Sequence, residues 1–138
     1  MRRSSAQFAC LAACALLAAC GSQNSSQIPI TVTFTPGFLP PTSMMVSEQC
    51  GIAATVTNDP KNAGVNWTVT CGSASCGTFS GSSASAVPVT YTAPSSIPAG
   101  DGTVSITAAS VTDPTKFVSS APIPITQNVS SGCVQPGS

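Results

Sequence analysis

Between Val65 and Cys71 the chain alternates strictly: Val65, Trp67, Val69 and Cys71 are apolar, and Asn66, Thr68 and Thr70 between them are polar. A period of two sends the first set to one face of an extended strand and the second to the other, the pattern of an antiparallel sheet buried on one side. The alternation returns in Ile30, Val32 and Phe34, and in Ile52, Ala54 and Val56 after a Pro-rich crossing over residues 38–46. It returns again in Val87, Val89 and Tyr91, in Val104, Ile106 and Ala108, and in Phe117, Ser119, Ala121, Ile123 and Ile125, with a short strand expected over residues 77–80. Gly, Pro and Asn-Asp clusters separate these segments. Seven short strands separated by turns predict an all-β, antiparallel β-sandwich over residues 28–127. Pro122 and Pro124 share a parity, so both remove donors from the same side of the last strand, as on a sheet edge.

The polar surface of such a fold has to come from Ser, Thr, Asn and Gln, because only 6% of the residues are charged. Histidine is absent and the acids number four: Glu48, Asp59, Asp101 and Asp113. That removes most general acid–base chemistry. A Ser, Cys or Thr nucleophile would have to rely on Lys61, Lys116 or a carboxylate as its base, and no motif brings one to it. We therefore expect no catalytic residues, no cofactor and no small-molecule substrate. Phosphate-binding loops and basic patches are missing as well, which argues against nucleic acid. Sequons at Asn24, Asn66 and Asn128 arise readily in a chain this rich in Ser and Thr, and no role is expected of them.

The beginning of the chain has a different character. Arg2 and Arg3 precede an apolar run over residues 6–19, and polar residues follow at once, which reads as a secretory signal. A retained span would need about 20 apolar residues. Leu17-Ala18-Ala19-Cys20 resembles the lipobox of bacterial lipoproteins, in which the cysteine is acylated and becomes the first residue. The resemblance implies a signal peptide over residues 1–19, removed, and a lipidated Cys20 with a short polar tether over residues 20–27. Cleavage at the rival box ending in Cys14, or ordinary cleavage leaving Cys20 as a thiol, are the alternatives. Cysteine parity favours Cys20: of seven cysteines, Cys10 and Cys14 leave with the signal, Cys20 takes lipid, and Cys50, Cys71, Cys76 and Cys133 remain. Gly21, where an aspartate would resemble an inner-membrane retention signal, points to the outer membrane of a two-membrane envelope.

The order of motifs ITVTFTP, GVNWTVTCG, CGTFS, YTAPSSIP and VTDPTKF is similar to the bacterial Ig-like repeats of envelope and secreted proteins. The resemblance covers most of residues 28–126 and implies an Ig-like, Greek-key sandwich whose centre is filled by the tryptophan of the third strand, here Trp67. A single copy replaces the usual tandem array, and Cys50 and Cys133 depart from the family's pattern. Four cysteines allow three pairings. The Gly-Ser-Ala-Ser turn between Cys71 and Cys76 suits a local bridge. The Ig-like topology implies that Cys50 and Cys133 meet at one pole, tying down the tail over residues 128–138. A four-cysteine zinc site is the disfavoured alternative, so no metal is expected there.

Asp59 and Asp113 each precede a proline in a turn, and the expectation is that each caps its turn through its own side chain. A calcium site shared by the two turns is the sharper alternative, although Ca²⁺ takes six to eight oxygens. Phe38, Leu39, Phe79 and Phe117 are the apolar candidates for a contact surface, each equally able to plug an end of the sandwich. The function expected is a non-enzymatic cell-envelope lipoprotein, joined to the membrane by its lipid and presenting one domain for protein or glycan contacts. The alternative is a structural accessory subunit of a larger envelope complex with no ligand of its own.

Overall fold

The computed structural model describes residues 28–128 and Cys133. The expected signal over residues 1–19, the tether with Cys20 and the tail past residue 128, apart from Cys133, lie outside the described residues. All regular structure among them is strand: β1 (Thr31–Phe34), β2 (Met44–Met45), β3 (Gln49–Ile52), β4 (Ala54–Thr57), β5 (Val65–Cys71), β6 (Thr78–Ser80), β7 (Val89–Thr92), β8 (Thr103–Ser110), β9 (Phe117–Ser119) and β10 (Ile123–Thr126). No helix there is long and apolar enough to cross a membrane.

One sheet runs β2-β10-β8-β5, with β9 also paired to β8. A second runs β3-β7-β6, and β1 pairs with β4. Only Ala53 separates β3 from β4, so these last two sheets are joined by one continuous run of chain. All the pairings are antiparallel except β2 with β10, where Ile125 sits opposite Met44.

Two of the seven expected strands are broken, and one strand was not foreseen. The run through Ile52, Ala54 and Val56 divides at Ala53, whose N–H donates to Phe38 O and whose carbonyl accepts from Thr35 N–H. Both backbone groups go to the chain that leaves β1, at Thr35 and Phe38, so neither is left for a ladder. The last strand divides between Ser119 and Ile123. There Ser120 N–H donates to Ile106 O while the Ser120 hydroxyl accepts from Ile106 N–H, keeping β8 satisfied across the gap. The unforeseen strand is β2, inside the Pro-rich crossing.

Pro122 and Pro124 act as their parity predicts. Ile125 N–H points to Gly102 O at the start of β8, so the proline nitrogens face the other way. On that side β2 pairs only with Ile125 and Thr126, beyond the prolines.

Both layers contribute to the core. Met44, Cys50, Ile52, Tyr91, Val104, Ile106, Ile123 and Ile125 form the larger buried cluster. Val32, Ala54, Val65 and Ala108 form the smaller one. Trp67 packs against both clusters and keeps part of its surface exposed. Among the described residues the aromatic with no exposed surface is Tyr91. A file of rings crosses the interior, with centroids 6.5 Å apart for Phe34–Trp67, 5.7 Å for Trp67–Phe79 and 5.1 Å for Phe79–Tyr91. Phe79, a candidate for the contact surface, therefore packs inward, whereas Phe117 is 60% and Leu39 57% exposed.

Candidate functional site

The registers define two poles. Thr31 pairs with Thr57, Val65 with Ser110, and Phe117 with Ala109, which gathers the chain entry at Ile28, the turn over residues 58–64 and the turn over residues 111–116 at one end. Cys71 pairs with Val104 and Gln49 with Thr92, which gathers residues 46–48, 72–77 and 93–102 at the other.

At the entry pole, Asp59 Oδ1 accepts from Lys61 N–H at 3.0 Å and Oδ2 from Ala63 N–H at 2.9 Å. Asp113 Oδ1 accepts from Thr115 N–H at 3.1 Å and from the Thr115 hydroxyl at 2.7 Å. Each carboxylate thus closes its own turn, as expected of an aspartate before proline. The nearby Thr112 hydroxyl and the turn amides, against slight desolvation, hold the Asp59 carboxyl below its ordinary 3.8. Thr112 Oγ1 itself is buried and has no hydrogen-bond partner among the described residues. Asp113 is held below its ordinary value by the hydrogen bonds from the Thr115 hydroxyl and amide, against slight desolvation and with help from the positive charge of Lys116. Among the described residues no three metal-ligating side chains come together. A shallow groove here is lined by Ile28, Pro29, Pro60, Thr112, Asp113 and Lys116.

On the flank between β5 and β6 lies a cleft of about 460 Å³, bordered by Trp67, Phe79, Ser80, Ser83 and Ser110. The Trp67 indole N–H is buried beside it without a partner among the described residues. Ser83 O accepts from Val65 N–H at the rim, which sets the outward direction for the backbone groups of Val65, Trp67 and Val69. Past Val65, that edge of β5 has no strand beside it among the described residues.

The opposite pole carries both cysteine pairs. Cys50 and Cys133 are bonded with Cα atoms 5.2 Å apart, and Cys71 and Cys76 with Cα atoms 5.5 Å apart, both inside the usual disulfide range. These are the pairs expected from the sequence. The Tyr91 hydroxyl donates to Cys76 O, and Ala99 N–H donates to Ser73 Oγ at 2.6 Å, so the bridged loop is tied to the core and to its neighbour. Glu48 and Asp101 lie at this end, where the Glu48 carboxylate accepts from Met45 N–H and that of Asp101 from Thr103 N–H.

Sequence reasoning placed the cysteines and the two aspartate turns. It missed the Trp67 cleft, whose walls come from four separate segments and whose only local sign is a tryptophan on a strand with no strand beyond it. No family model, curated protein or solved structure matches this chain.

Proposed function

We propose that this is a non-enzymatic envelope lipoprotein, acylated at Cys20 and held at the outer membrane, whose single Ig-like domain makes protein or glycan contacts close to the bilayer. Strand order supports the Ig-like part. If β3–β4 and β9–β10 are each counted as one strand, one layer runs first-second-fifth-fourth and the other third-sixth-seventh, as in the Ig sandwich. In that count β2 is a short addition beside the seventh strand.

The observation that carries the binding reading is the opposition of the poles. Chain entry is at Ile28, and both disulfides brace the loops at the far end. A domain tethered through residues 20–27 offers those braced loops outward, and braced loops lose less entropy when they bind. The test is a glycan array and a pull-down with the detergent-extracted acylated protein. Signal lost when residues 73–75 or 95–99 are replaced by glycine and serine supports a binding module, and signal indifferent to both replacements contradicts it.

The open edge of β5 favours a second reading, a structural subunit whose sheet is continued by a strand of a larger complex. A single stoichiometric partner, released when Trp67 or Val69 is replaced by proline, distinguishes it.

A further inference from the structure

We propose that the open edge of β5 is paired by β5 of a second copy of this chain, antiparallel and centred on Val69, so that the two sheets run on as one. The pairing rests on the second reading of function, a structural subunit whose sheet another strand continues, and it names that strand.

Backbone direction defines the edge. Val65 N–H points away from β8 to Ser83 O, and the same parity turns the N–H and C=O groups of Trp67, Val69 and Cys71 outward, where no strand of the described residues meets them. Ser83 closes the edge at Val65, and the chain leaves the strand at Gly72, which packs against Ala99 O. Residues 67–71 remain open, about 17 Å at strand rise. Other edges are guarded. Pro122 and Pro124 stand beside β2, Ser85 closes β4, and β1, β2 and β6 run only four, two and three residues. Between Val65 and Cys71 there is no charge, proline or glycine to deter a neighbour.

That edge fits its own copy. Pairing about Val69 sets Val69 opposite Val69 of the second copy and Trp67 opposite its Cys71, which uses every outward group of residues 67–71. Thr68 then falls opposite Thr70 of the second copy in the closer, non-hydrogen-bonded positions on the exposed face, a favourable cross-strand pair formed twice. Neither strand carries a charge, so the copies meet without like-charge repulsion along the pairing. Trp67 and Val69, half-buried in the single domain, are covered by Cys71 and Val69 of the second copy, beside the Trp67 cleft. Two-fold pairing uses the edge up, so assembly stops at the dimer. Five residues a side fall short of the roughly 800 Å² per partner of a stable interface, so the dimer is reversible.

The experiment follows the detergent-extracted protein by sedimentation equilibrium in density-matched detergent, together with the emission of Trp67, the single tryptophan of the chain. A concentration-dependent monomer–dimer equilibrium is expected, with emission shifted to the blue in the dimer. Thr68 and Thr70 are exposed, so T68K/T70K alters only the surface of β5. It sets lysine against lysine in both threonine pairs and should weaken association roughly ten-fold. Mixing it with T68E/T70E should restore dimers that hold one chain of each kind. A protein monomeric throughout, a dimer indifferent to T68K/T70K, or no recovery on mixing would overturn the proposal. If the monomer instead holds a single stoichiometric partner that V69P releases, the second copy alone is overturned; with no such partner, the reading as a structural subunit falls with it.

Discussion

Tyr91 is the single tyrosine of the chain, fully buried, and its hydroxyl donates to Cys76 O. Burial pushes its pKa from 10.0 up to about 12. A folded-state value above the unfolded one means stability is complete below pH 10 and declines as pH rises toward 12. Tyrosinate absorbance followed alongside denaturant melts should show both events together. Y91F should cost about 1 kcal/mol at neutral pH, through the lost hydrogen bond, and flatten the alkaline decline. Gly77, next in the chain after Cys76, sits at φ +99°, and a Cβ there would meet Thr92 O and the Tyr91 hydroxyl. G77A should lose at least about 2 kcal/mol, read as a lowered urea midpoint. An unchanged midpoint would mean that the loop is not seated on Tyr91.

Among the elements, β4 shows how an edge is closed without a strand. The Ser85 hydroxyl accepts from Val56 N–H at 2.8 Å and donates to Val56 O at 3.3 Å, while Ala86 N–H donates to Ala54 O. One side chain replaces two ladder bonds, so S85A should cost about 1 to 2 kcal/mol in a urea melt, and a cost near zero would show the loop to be dispensable. This example also separates what the sequence made legible from what it did not. Alternation along Val65–Cys71 and through Val104, Ile106 and Ala108 located β5 and β8 because in each strand one parity is more buried than the other. Over residues 50–54 every residue is buried, as the chain passes from one sheet to another at Ala53, and a period of two carries no trace of that change. Met44 is fully buried in β2, yet the prolines around it read as crossing chain. Ser85 is one serine in a serine-rich loop, and its partner lies 29 residues away. The turns at Asp59 and Asp113 were readable because their bonds close within four residues.

For the whole molecule, the two disulfides differ in what they constrain. Their sequence separations are 83 for Cys50–Cys133 and 5 for Cys71–Cys76. Loop-closure entropy assigns about 4.5 kcal/mol to the long bridge and about 2 kcal/mol to the short one. C50A/C133A should therefore lower the unfolding free energy by roughly twice as much as C71A/C76A, and the reverse order would contradict a long bridge that acts by confining the unfolded chain. Both bridges brace the pole opposite Ile28, so the same bonds that stabilise the domain also stiffen the loops proposed to meet a partner. The anchor, the bridges and the orientation all depend on how the chain's cysteines are used. The most direct test is non-reducing peptide mapping with intact mass of the detergent-extracted protein. The account predicts a chain beginning at an acylated Cys20, with Cys50 joined to Cys133 and Cys71 to Cys76. A free Cys20, a retained leader, or bridges that cross between those pairs would contradict it.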